Sequence, residues 1–233
     1  MVETLTSIEP QPDRAGTRTH TDVLPLWVSH IQRAGVRHSP RASGHWSIMR
    51  ITVFLLLNLL VQHVSANDLL WQKLRTEADL VVLMRHTHPA GGNPLTWDES
   101  GRCTGESMLT IEGKAHALKI GQAFAEHGIK PSVISSPMCR CRDTARIAFG
   151  EAFVTDAALR EIATADRERT SAFERKAQSL IASHRGSSPV VFVSHRPNID
   201  LLSLELIDEG ELLVARANEN GELTVLGKIQ VQP

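Results

Sequence analysis

Two histidines stand directly after apolar runs: Arg85-His86 closes Leu80-Val81-Val82-Leu83-Met84, and Ser194-His195 closes Val190-Val191-Phe192-Val193. A third short run, Val133-Ile134, ends in Ser135-Ser136-Pro137, just ahead of Arg140 and Arg142. The chemistry such a set performs is narrow. A neutral imidazole attacks phosphorus and carries the group as phosphohistidine, while guanidinium forks match the oxygens of a phosphoryl group. Transfer then asks mainly for in-line positioning and positive charge on the equatorial oxygens, which arginines supply without a metal. Nearby cations hold an imidazole neutral near pH 7. A second histidine can donate to the same oxygens, and a carboxylic acid must protonate the leaving alkoxide. The chain has no Tyr, so no phenol takes part.

For Arg85, His86, Arg140 and His195 to share a pocket, segments far apart in sequence must converge. Continuous apolar runs of this kind read as strands buried on both faces, the habit of parallel sheets. In open α/β sheets ligands bind at the carboxyl ends of such strands. From Thr110 to His127, Ile111, Ala115 and Leu118, with Ala117, Ile120 and Phe124 beside them, predict a helix with one broad buried face. Thr110 is its N-cap and Gly128 its stop. Met138 to Phe149 reads as a second helix closed by Gly150, and Phe173, Ala177, Leu180 and Ile181 place a third over Ala165 to His184. Residues 211 to 216 and 222 to 231 flank Asn220-Gly221, a hairpin signal. Residues 89 to 106, rich in Gly and acids, read as a long irregular loop of the kind that carries function. The alternation predicts a three-layer α/β/α fold with a largely parallel central sheet.

Composition narrows the field. The 233 residues are 42% hydrophobic and 22% charged, as in ordinary globular proteins, which argues against disordered, collagen-like and multi-span membrane classes. A net charge of −1 lacks the cationic excess that nucleic-acid binding uses, so no nucleic-acid partner is expected. No nucleotide-binding glycine loop occurs. His88 makes a His-x-His pair with His86, yet no Asp-His follows and no Cys or Glu falls at metal spacing, so His88 reads as a loop residue near the substrate and no metal is expected. His116, His127 and His184 read as solvated or capping residues of helices. Arg142 should face away from Arg140 and form a surface ion pair, and Asp143 and Thr144 support the helix.

Met49-Arg50, the apolar run Ile51 to Val61, and small residues at Val64-x-Ala66 have the parts of a secretory signal peptide cleaved before Asn67. Residues 1 to 48 are expected to be a disordered leader or a start-site artefact, with translation beginning at Met49. The apolar run is too short to span a bilayer, so no membrane span is expected after cleavage. The working domain is then 67 to 233, and the location periplasmic or secreted. In an oxidising compartment Cys103 can bridge to Cys139 or Cys141 and pin the long loop over the pocket, with three free thiols as the alternative. A bond within Cys139-x-Cys141 would be strained.

The ordered motifs resemble the histidine phosphatase superfamily, which has a phosphoglycerate mutase-like fold. Arg85-His86-Thr87 is similar to its opening Arg-His-Gly, and Leu109-Thr110-Ile111-Glu112-Gly113 followed by Ala117 to its Leu-Thr-x-x-Gly-x-x-x-Ala. Ser135-Ser136-Pro137-Met138-Cys139-Arg140-Cys141-Arg142-Asp143-Thr144-Ala145 resembles its Ser-Ser-Pro-x-x-Arg-x-x-x-Thr-Ala, and Ser194-His195 its late histidine. The resemblance implies His86 as nucleophile, Arg85 and Arg140 as phosphate clamps, His195 as second imidazole, and Thr87 among the substrate ligands. It implies an acid in a Leu-x-Glu segment, here Leu159-Arg160-Glu161. Asp98, Glu99, Glu106 and Asp166 stay open as alternatives. Arg196 occupies the place where another branch carries an Asp, which sets that arrangement aside, and Thr87 departs from the usual Gly. The implied activity is hydrolysis of a phosphomonoester without a cofactor, on a phosphorylated small molecule or envelope sugar phosphate. A non-catalytic phosphate-binding module, a mutase and a zinc-dependent hydrolase are the alternatives.

Overall fold

The computed structural model describes residues 65 to 163 and 166 to 233. The leader and almost all of the signal-peptide reading lie outside the described residues. The first element, helix α1 (Ala66–Thr76), is capped by Ser65, whose hydroxyl accepts from Asn67 N while Asp68 reaches back to the Ser65 amide. The expected cleavage point before Asn67 falls inside its first turn.

The chain then runs through β1 (Leu80–Arg85), β2 (Pro89–Ala90), β3 (Met108–Leu109), α2 (Ile111–Glu126), β4 (Ser132–Ser135), α3 (Cys139–Phe149) and β5 (Val154–Thr155). A 3-10 turn (Ala157–Leu159), α4 (Arg167–Ser183), β6 (Val190–Ser194), α5 (Arg196–Ser203), β7 (Leu212–Ala217) and β8 (Leu223–Ile229) complete it. Six strands form one sheet in the order β5-β4-β6-β1-β7-β8. β5, β4, β6 and β1 run parallel, and β7 and β8 join antiparallel. β2 and β3 pair separately at the two ends of the predicted long loop.

Side chains on successive strand positions point to opposite faces, and the core divides accordingly. Val82 and Met84 of β1 and Val191 and Val193 of β6 meet Leu74 of α1, Ile120 and Phe124 of α2 and Ala145 of α3. Val81, Leu83, Val190 and Phe192 meet Phe173, Ala177 and Ile181 of α4 and Ile199 of α5. Both faces of the parallel strands are therefore covered, which is why they read as unbroken apolar runs. The fold is the expected α/β/α sandwich with a mostly parallel sheet and an antiparallel edge.

Local expectations hold at most caps. Thr110 caps α2 through Gly113 N, and the left-handed Gly128 (φ +68°) follows its end. His184 closes α4, its Nδ1 against Leu180 O at 2.8 Å. The buried face of α2 is a correction. Ile111 is 83% and Leu118 51% exposed, whereas Gly113, His116, Ala117, Ile120 and Phe124 face inward. His116, expected in solvent, is buried with Nε2 2.7 Å from Val231 O, because the carboxyl-terminal segment covers it. α4 begins after Asp166, which caps it, rather than at Ala165. Helices α1 and α5 and the short strands β2, β3 and β5 lacked a long enough periodic pattern to be read.

Candidate active site

Register brings the site residues to one edge. Arg85 pairs with Ser194 across β1 and β6, His86 N donates to Ser194 O at 3.0 Å, and Ser136 N donates to Val193 O at 2.9 Å. Three parallel strands thus end level, and their next residues are His86, His195 and Ser136. Gly113 serves the same edge: a Cβ there would lie 2.2 Å from His88 O, so only glycine lets α2 begin against the segment that follows His86.

Arg140, on the first turn of α3, is the hub. It is 1% exposed. Its Nε donates to His86 Nε2 at 3.2 Å and its Nη2 to His195 Nδ1 at 3.0 Å and Pro94 O at 2.9 Å. Nη2 also pairs with the Glu161 carboxylate, which lies 3.7 Å from His195 Nδ1. Arg140 Nη1 is buried without a partner among the described residues, as is Arg85 Nε. Unpaired buried guanidinium donors are costly unless an acceptor arrives, which suits a site for an anion.

The hydrogen bonds fix both imidazoles. His86 Nδ1 lies 2.9 Å from Thr87 O, so Nδ1 carries the hydrogen and donates, leaving the Nε2 lone pair toward Arg140. His195 accepts from Arg140 at Nδ1, and its Nε2 donates to Ser136 Oγ at 2.7 Å. Burial, opposed by the Thr87 bond and reinforced by the charges of Arg140, Arg85 and His88, pushes His86 down to about 3. Burial and Arg140 likewise hold His195 well below the usual imidazole range. Both rings are neutral at pH 7, as an imidazole nucleophile requires. Burial raises the Glu161 carboxyl, with Arg140 and Arg85 pulling the other way, so this acid holds its proton at higher pH than a solvated one.

The other expected residues divide. Arg85 is beside this set: its charge acts on His86, His195 and Glu161, while its Nη2 pairs with Glu209 at 2.9 Å. Thr87 is fully buried and its hydroxyl lies 3.3 Å from Thr144 Oγ1, so it steadies His86 rather than offering an open donor. Thr144 also bonds Arg140 O, giving the expected helix support. Among the alternative acids, Glu106 accepts from Asp98 N and Cys139 N, both at 2.8 Å. Asp98 binds Ser100 and Thr104, and Asp166 caps α4, so these three are spent on backbone. Glu99 is exposed on the loop. Arg142 reaches Gly101 O at 3.5 Å instead of forming the expected ion pair.

The long loop is fastened over this edge. A disulfide joins Cys103 to Cys139, next to Arg140, and Cys141 stays free and buried, its thiol pushed up to about 12 by burial. Trp97 of the loop lies under the Arg160 guanidinium at 5.1 Å. The sequence reading missed Glu209, which holds Arg85 with one oxygen and His88 Nδ1 with the other at 2.6 Å. Among the described residues, no group of three or more His, Cys, Asp or Glu could hold a metal, and no helix is long and apolar enough to cross a membrane.

An α/β sandwich that gathers two neutral imidazoles, two guanidiniums and a carboxyl at its strand ends defines a phosphoryl-handling class. Residues 81 to 179 match the family described as the histidine phosphatase superfamily (branch 1). No curated protein matches the chain. Among solved structures it is similar to a mycobacterial glucosyl-3-phosphoglycerate phosphatase, at 16% identity over 64% of this chain and 97% of that one, TM-score 0.48. It is also similar to a phosphoserine phosphatase from Entamoeba histolytica, at 16% identity over 66% and 98%, TM-score 0.44. The protein histidine phosphatase SixA, solved with tungstate, shares 17% identity over 64% and 96%, TM-score 0.44.

Proposed function

We propose that the protein is an exported phosphatase that hydrolyses a phosphomonoester through a phosphohistidine on His86. The arrangement around Arg140 carries this reading: one buried guanidinium touches His86 Nε2, His195 Nδ1 and the Glu161 carboxylate. In the first step the His86 Nε2 lone pair attacks phosphorus and the ester P–O bond breaks. Arg140 and Arg85, whose Nη1 and Nε are unpartnered among the described residues, hold the equatorial oxygens as charge builds on them. His195 steadies Arg140 through Nδ1, and Glu161 gives its proton to the departing alkoxide. In the second step Glu161 takes a proton from water, the water oxygen attacks phosphorus, and the bond to His86 Nε2 breaks, releasing phosphate.

The substrate class is a phosphorylated small molecule, with an envelope sugar phosphate as the specific candidate. Export rests on the Met49–Ala66 segment, and mass measurement of the exported chain checks it, an amino terminus well before Asn67 being the contrary result. Replacing His86 with Ala is expected to abolish turnover of an aryl phosphate in a folded protein, and rapid quench into alkali should trap a His-bound phosphate in the parent alone. Retained activity would overturn His86 as nucleophile, and saturable phosphate binding with neither turnover nor adduct in the parent would instead describe a binding module.

A further inference from the structure

Glu161 sits in a stretch with no backbone ladder of its own: residues 161 to 163 belong to no helix or strand. Something else must fix its place. On one side of Glu161, Arg160 O accepts from Asn198 Nδ2 at 3.1 Å, and on the other, Ile162 N donates to Asn198 Oδ1 at 3.0 Å. Asn198 is fully buried on the first turn of α5, the helix that His195 caps. One carboxamide therefore brackets the acid and ties it to the element that carries the second imidazole. A carboxamide carries an acceptor and a donor on one carbon and so closes both ends at once.

We infer that Asn198 is a positioning residue for Glu161, holding the backbone on both sides of it while Arg169 binds Glu161 O and Arg140 the carboxylate, so that the carboxyl meets the leaving oxygen at the right distance. The inference rests on the proposed role of Glu161 as proton donor. It differs from a packing role in what it does to the chemistry. An acid displaced by about 1 Å costs about 10²-fold where protonation matters, and nothing where the leaving group departs as a stable anion. A packing defect lowers both rates alike.

The test is single-turnover phosphorylation of His86 in the full-length protein, using an alkyl phosphate and 4-nitrophenyl phosphate, with Asn198→Ala, Glu161→Gln and the double variant. Asn198→Ala is expected to slow the alkyl ester by about 10²-fold and the nitrophenyl ester by less than about tenfold, within the range general acids contribute. In the Glu161→Gln background it should add no further loss. Should Asn198→Ala fail to fold, as judged by circular dichroism, Asn198→Asp keeps the shape and the acceptor but removes the donor to Arg160 O. The same selectivity, smaller, is expected from it. Equal losses on both esters, or additive losses in the double variant, overturn the positioning role while a selective Glu161→Gln leaves the acid in place. A Glu161→Gln variant that treats both esters alike removes the acid and the positioning role together.

Discussion

The two halves of the sheet meet the site in opposite ways. In the parallel half, β4, β6 and β1 deliver Ser136, His195 and His86 by their carboxyl ends, so each site residue follows directly after an apolar run. In the antiparallel half, β7 runs the other way, and the segment that precedes it arrives at the same edge. Gly210 N donates to Arg85 O at 3.1 Å, and Glu209 binds Arg85 and His88. β8 turns back to run with β1 and ends level with it, Ile229 and Met84 both standing opposite Leu212. It lies at the sheet's far edge, however, and its exit packs on α2, with Ile229 in the core and Val231 O against His116. Direction of the strand, more than its composition, decides whether its exit or its approach can reach a substrate.

That contrast can be broken or sharpened by experiment. The largest effect of any single covalent change is expected from reducing Cys103–Cys139, which fastens the loop to the helix after β4 and closes 36 residues of sequence separation. Loop-closure entropy places its contribution at about 4 kcal/mol. Denaturant melts with and without reductant should show a loss of that order, with turnover falling too because Pro94 O no longer holds Arg140. A thiol count in denaturant should give one free thiol, and three would reject the bridge.

Acidification loads the same half. His86 has its pKa depressed to about 3 in the folded chain against 6.5 unfolded. Between these values the unfolded chain binds the extra proton, so stability rises with pH through the window and is lost on going down it. His195 acts in the same direction. Each contributes a slope of about 1.4 kcal/mol per pH unit where only the unfolded form is protonated. Glu161, with its raised pKa, opposes this just above 4.5. Urea melts from pH 7 to pH 4 should show the fall, and His86→Ala should flatten it by one proton. An unchanged slope would place His86 in contact with solvent.

The smallest effect belongs to the hairpin. Gly221 has φ +78°, and a Cβ there would lie 2.1 Å from Gln178 O. Gly221→Ala is expected to cost about 1–3 kcal/mol of stability with kcat per folded molecule unchanged. A fall in kcat would show that the antiparallel edge couples to the site after all.

Much of the site was legible because strand ends are written in the sequence. Arg85-His86 and Ser194-His195 follow apolar runs too regular to misread, and the Ser136-to-Ala145 motif placed Arg140. What escaped was chemistry set by approach rather than by exit. Glu209 stands in a polar stretch with no periodicity, and Asn198 hides in a helix too short to announce itself. The α2 face was misassigned because two of its three large aliphatics, Ile111 and Leu118, lie in solvent while a histidine and two small residues pack inward beside Ile120 and Phe124. Volume available at the interface, which pattern does not encode, decided that face.

With its two companions joined, Cys141 is sealed beside His195 and its sulfur keeps its proton at any ordinary pH. An alkylating reagent therefore has no target until α3 lifts from the sheet. The rate at which such a label appears on the oxidised protein becomes a clock for the opening of this one corner, read without any engineered probe.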